Sequence, residues 1–159
     1  MKNRSKNTER AVLVNRIKMI LPSLSVNEGA ARAAVAAFCA QIDPSPSEIA
    51  DIKCALSEAV TNCIVHAYKN TPNGTGEITI TVKIYSDRKI EIRISDRGCG
   101  ISDIKLARTP LYTTDAMDER SGMGFTVMES FMDKVRVSSR VGKGTSVTLV
   151  KHICQRECL

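Results

Sequence analysis

Between Ile78 and Ile94 the chain sets an isoleucine or valine at every second position but two, Ser86 and Arg88. Ile78, Ile80, Val82 and Ile84 are followed, after a Ser86-Asp87-Arg88 break, by Ile90, Ile92 and Ile94. A period of two sends one set of side chains to one face of a strand. The stretch therefore predicts an antiparallel hairpin whose apolar face must be covered. A cover is encoded upstream. Ser45, Pro46 and Glu48 form a capping-box start, with proline at the first helical position. Ile49, Ile52, Leu56, Ala59, Val60, Cys63 and Ala67 then recur at helical spacing, as in a helix lying flat on a sheet. This helix is predicted to end near Lys69, before Pro72-Asn73-Gly74.

The remaining elements are shorter. Ile17, Met19 and Leu21 predict a weak strand stopped by Pro22, and Asn27 is the expected cap of an Ala-rich helix to about Gln41. Asp96-Arg97-Gly98-Cys99-Gly100 ends the hairpin, and a long connection through Pro110 and Asp115 leads to Gly122-Met123-Gly124. A helix from about Met123 to Met132 and strands around Val135/Val137 and Val147/Leu149, joined at Gly142-Lys143-Gly144, complete the order. The expected fold class is α+β, a two-layer sandwich with a mixed, mostly antiparallel sheet covered on one face by helices. At 159 residues one domain is expected. Its bounds are drawn at 15–153, with 1–14 as a disordered basic extension and 154–159 as a tail.

Charge is concentrated at the start. The chain has 23 Lys+Arg against 17 Asp+Glu, and Lys2, Arg4, Lys6, Arg10, Arg16 and Lys18 face only Glu9 in the first eighteen positions. With 4% aromatic residues, the body lacks the basic surface and stacking platforms of a nucleic-acid binder. No apolar run approaches the roughly 20 residues of a membrane span, and the first ten residues lack a secretory core. A cytoplasmic protein with no membrane and no direct nucleic-acid partner is expected. The cysteines, Cys39, Cys54, Cys63, Cys99, Cys154 and Cys158, include no C-x-x-C pair, which argues against a zinc site. Cys39, Cys54 and Cys63 lie in apolar helical patterns and are expected to pack in the core.

Neither a G-x-x-x-x-G-K-[ST] loop nor a complete G-x-G-x-x-G is present. Glu58 and Asn62 stand one helical turn apart, on a stripe with Asp51 and Lys69 opposite Leu56 and Cys63. Alone, that stripe reads as a solvated face. Ala55, Val65 and His66 flank it, however, and a carboxylate beside an amide carbonyl suits base chemistry next to a hard Mg²⁺. Gly98-x-Gly100 and Gly122-x-Gly124, taken singly, are turn geometry. Asp96 could cap its own turn, and Arg120 could pair with Glu119 or Asp118 at the surface.

Taken in order, Glu58 to Asn62, Asp96 to Gly100, Arg120 to Phe125 and Gly144-Thr145 resemble the ATP-binding boxes of the gyrase, histidine-kinase and mismatch-repair ATPase superfamily. Within it the chain is similar to the serine-kinase anti-sigma factors, nearest their sporulation, sigma-F-type branch, from about Arg16 to His152. The resemblance implies roles. Asn62 holds Mg²⁺, Glu58 is the base, and Arg120 reaches the γ-phosphate. Asp96 accepts from the adenine amino group, helped by Thr145, while Gly98 and Gly100 let backbone approach the base. Ser121, Gly122, Met123 and Gly124 cradle phosphates, Thr113 and Thr114 lie in an ATP lid, and Arg32 touches protein partners. It further implies ATP/ADP with Mg²⁺, a sigma factor bound and kept from RNA polymerase, a small anti-anti-sigma protein phosphorylated on serine, and a homodimer. Alternatives are a non-catalytic nucleotide-dependent sigma-binding module and a stress-response relative. A histidine-kinase catalytic domain needs a phospho-accepting histidine helix, which neither His66 nor His152 supplies.

Overall fold

The computed structural model describes residues 10–110 and 123–155. In chain order these form β1 (Leu13–Pro22), α1 (Val26–Cys39), α2 (Pro46–Asn62), β2 (Glu77–Tyr85), β3 (Lys89–Asp96), α3 (Ile104–Ala107), α4 (Gly124–Phe131), β4 (Lys134–Arg140) and β5 (Gly144–His152). The strands make one sheet in the order β1-β2-β3-β5-β4. All four pairings are antiparallel, so among the described residues the sheet holds no parallel pair.

The isoleucine alternation sets the register. Ile80 pairs with Ile94 and Val82 with Ile92 across β2 and β3, while Ile92 meets Leu149 and Ile94 meets Val147 across β3 and β5. Their side chains form one apolar face, and all are buried. Ile52, Leu56, Ala59 and Val60 of α2 close over it with Ala31 and Val35 of α1 and Met128 of α4. Fully burying each large aliphatic side chain stabilises the fold by about 1.5–3 kcal/mol, so the sandwich rests on this layer. The opposite face carries the polar half of the alternation, including a row of Lys18, Thr81, Arg93, Thr148 and Arg136.

Several local expectations change. β1 takes in Leu13 and Val14, two residues placed in the basic extension by sequence. The N-cap of α1 is Ser25 rather than Asn27, and it makes no side-chain cap hydrogen bond. The Asn27 amide instead donates to the Pro22 carbonyl at 2.9 Å, fastening the helix to the end of β1. Cys39 and Cys63 are buried as expected, with burial pushing the Cys39 thiol up to about 12. Cys54 is exposed, because its position falls just outside the Ile52/Leu56 stripe.

Candidate active site

The site is organised by the end of α2. The regular helix runs to Asn62 and then widens into a π turn over Cys63–Ala67, a distortion common at functional sites. Just before the turn, Glu58 and Asn62 are half-buried rather than solvated, because the start of α4 lies on them. A Cβ added at Gly124 would stand 3.1 Å from Glu58 Oε2 and 3.5 Å from Asn62 Oδ1. Glycine thus lets the α4 N-terminus approach both polar groups closely. Met123, at the N-cap, makes no side-chain cap hydrogen bond, so among the described residues the first-turn amides and the positive end of the helix dipole have no side-chain acceptor. Among the described residues neither Glu58 nor Asn62 has a side-chain hydrogen-bond partner.

The π turn then builds a second cluster. Its Ala67 carbonyl accepts from Cys99 N at 2.9 Å, drawing the Asp96–Gly100 turn against α2. A Cβ at Gly98 would lie 2.1 Å from that carbonyl, and one at Gly144 would lie 2.1 Å from the Asp96 carbonyl. The close approaches at these glycines are between parts of the chain's own backbone. Gly100, at φ +74, is likewise pressed on the Arg140 carbonyl.

Asp96 is the buried carboxylate of this cluster, 8% exposed. Its Oδ1 accepts from Gly98 N at 2.9 Å and from Thr145 N at 3.1 Å. Oδ2 accepts from the Cys63 thiol at 3.6 Å. Asp96 therefore does cap its turn, yet that role occupies mainly one oxygen. The Cys63 thiol is pushed well up by burial, then by the neighbouring Asp96 charge and their hydrogen bond, and so remains a donor. The Thr145 hydroxyl pairs with Ser139 Oγ at 2.8 Å, and Ser139 Oγ also accepts from Ile101 N at 2.8 Å.

The sequence residues are thus brought into two groups, Glu58, Asn62, Met123 and Gly124 in one and Asp96, Gly98 and Thr145 in the other, joined by the Asn62-Cys63 step. Arg32 stands apart on α1, where it donates to Glu28 at 2.9 Å and Ser57 at 3.2 Å. Thr113, Thr114, Arg120, Ser121 and Gly122 lie outside the described residues. Sequence reasoning missed the donor role of Cys63 and the buttress at Ser139. The latter had a usable signal, since Ser139 faces Thr145 across β4 and β5.

The sequence matches the histidine kinase-like ATPase domain over residues 21–151. The chain belongs to the histidine kinase-like ATPase family. Membership implies a nucleotide site. Among relatives, an anti-sigma F factor of Geobacillus kaustophilus is 48% identical over 145 residues, spanning 91% of this chain and 97% of that protein. One of Caldanaerobacter subterraneus is 53% identical over 139 residues, spanning 87% and 94%. The fold is similar to a crystal structure of RsbU and RsbW domains from Mycobacterium tuberculosis. That match has a TM-score of 0.66 at 21% identity and spans 90% of this chain and 34% of the other.

Proposed function

We propose that this chain is an anti-sigma factor and a protein serine kinase, binding a sigma factor of the F type and using ATP to phosphorylate a small anti-anti-sigma protein. One observation carries the kinase reading: two half-buried polar side chains, Glu58 and Asn62, have no hydrogen-bond partner among the described residues and face the start of α4, whose N-cap Met123 makes no side-chain cap hydrogen bond. Polar groups held in a half-buried position without partners are costly to the fold, and a ligand that pairs with them repays that cost. The names carried by relatives at 48% and 53% identity support the sigma-binding role.

The donor set fits the expected ligand. Mg²⁺ that arrives with a nucleotide needs only one or two hard protein oxygens, the rest coming from phosphates and water, and the Asn62 amide oxygen supplies one. When bound, Mg²⁺ neutralises charge on the triphosphate. The α4 first-turn amides, from Met123 and Gly124 onward, receive phosphate oxygens, with Ser121 and Gly122 before them. Arg120 reaches the γ-phosphate, and Thr113 and Thr114 belong to the lid. Asp96 accepts from the adenine amino group beside Thr145, Gly98 and Gly100.

Glu58 takes the proton of the incoming serine hydroxyl. The serine oxygen forms a bond to the γ-phosphorus as the bond to the bridging oxygen breaks, and ADP leaves. Arg32, 42% exposed in its side chain, keeps part of its guanidinium open to a protein partner. A cytoplasmic homodimer completes the proposal, with the domain drawn at residues 15–153.

Radiolabelled ATP, a candidate anti-anti-sigma protein and the Glu58→Gln variant test the reading. Transfer is expected to fall by about a hundredfold or more while nucleotide binding persists. Equal transfer by both proteins would remove Glu58 from the mechanism and leave a nucleotide-dependent binding module.

A further inference from the structure

Asp96 sits in a network of four residues, and its two oxygens are treated differently. Oδ1 receives two backbone amides, from Gly98 and Thr145. Those bonds hold it to the turn and to β5. Among the described residues Oδ2 receives one donor, the thiol of Cys63 at 3.6 Å. Cys63 is 5% exposed and begins the π turn, so its side chain has little freedom to leave. Three donors from three separate segments fix the plane of the carboxylate, and the thiol occupies one acceptor direction on Oδ2. What remains on that oxygen is room for one further donor.

We infer that Cys63 is a positioning residue for base selectivity, orienting Asp96 so that Oδ2 presents an acceptor to an exocyclic amino group of the bound base. This rests on the adenine role of Asp96 proposed above. It adds that the contact is set by a thiol donor from the helix carrying Glu58 and Asn62, coupling the base end of the site to the phosphate end through adjacent residues. Without the thiol, Asp96 keeps its Oδ1 bonds but can rotate about them, and the contact to the amino group weakens.

The test measures equilibrium binding of ATP and of purine riboside triphosphate, which lacks the 6-amino group, to the full chain and to Cys63→Val, Cys63→Ser and Asp96→Asn. Valine stays apolar, at slightly larger volume, and removes the donor; serine keeps a donor. Cys63→Val is expected to weaken ATP binding about threefold to tenfold, the size of one modest hydrogen bond, and to leave the analogue unchanged. Cys63→Ser should restore most of the preference. Thermal melts check folding, and Cys63→Ala replaces the valine variant if that one fails to fold. Equal loss for both nucleotides, or no loss for either, would overturn the role of Cys63. If Asp96→Asn abolishes the preference for ATP while Cys63→Val does not, the adenine reading stands and the positioning role falls. If Asp96→Asn also leaves the preference intact, the adenine reading itself is lost.

Discussion

The two ends of α2 obey opposite rules. At its start, the capping residues Ser45 and Glu48 find partners in the chain. Ser45 Oγ accepts from Glu48 N at 3.1 Å, Glu48 Oε2 accepts from Ser45 N at 2.7 Å, and Glu48 Oε1 accepts from Cys154 N at 2.9 Å. Nearby, Arg88 donates to the Ile42 carbonyl at 2.7 Å and the Ile153 carbonyl at 3.2 Å, tying the α1–α2 connection to the C-terminal segment. At its end, Glu58 and Asn62 are held half-buried with no side-chain partner among the described residues. Satisfied polar groups report on stability, whereas unsatisfied ones held in place report on a ligand.

The largest test of that contrast is Asn62→Leu. Removing an unpartnered amide should leave unfolding stability within about 0.5 kcal/mol of the parent, or raise it. Binding of ATP in the presence of Mg²⁺ should fall by about 1.5–3 kcal/mol, roughly tenfold to a hundredfold, as expected for a lost contact to a charged group. Calorimetric titration and a thermal melt on the same sample read both quantities. A variant that binds normally but melts much earlier would reverse the assignment of this end.

What could be read from sequence follows from range. The Ser45/Glu48 box is local, with donor and acceptor three residues apart, and it forms as expected. The hairpin is equally local, and its period fixes which face is covered. Glu58 and Asn62 lie on α2 as their spacing predicts, but their stripe taken alone reads as solvated, because nothing within α2 shows that the start of α4 docks there. Cys63 looked like a core hydrophobe, which it is. Its bond to Asp96 spans 33 residues and depends on a π turn that no propensity signals. Cys54 shows the opposite failure, an apolar-looking residue one step off the stripe and left in solvent.

Ser45→Ala provides the mirror of the Asn62 test. Loss of the cap should cost about 1 kcal/mol, or about 2–4 °C in Tm for a domain of this size. Nucleotide affinity should not change, since the cap lies several turns from Glu58 and Asn62. A loss of affinity without a loss of stability would break the division between the two ends.

The smallest effect expected is acid dependence at the same cap. Burial acts to raise the Glu48 carboxyl, but hydrogen bonds from Ser45 and Cys154 outweigh it and hold the group below its usual carboxylate range. The folded state then binds fewer protons than the unfolded chain in mild acid. Its contribution is therefore fully present above the unfolded carboxylate value of about 4.3 and is lost as pH falls through the lower folded value. Melting curves of the parent and Glu48→Gln between pH 7 and pH 3 should show a stability gap that narrows as the solution becomes acid. A gap that stays constant across that range would mean that the charge of Glu48 contributes nothing and that the box works through neutral hydrogen bonds alone.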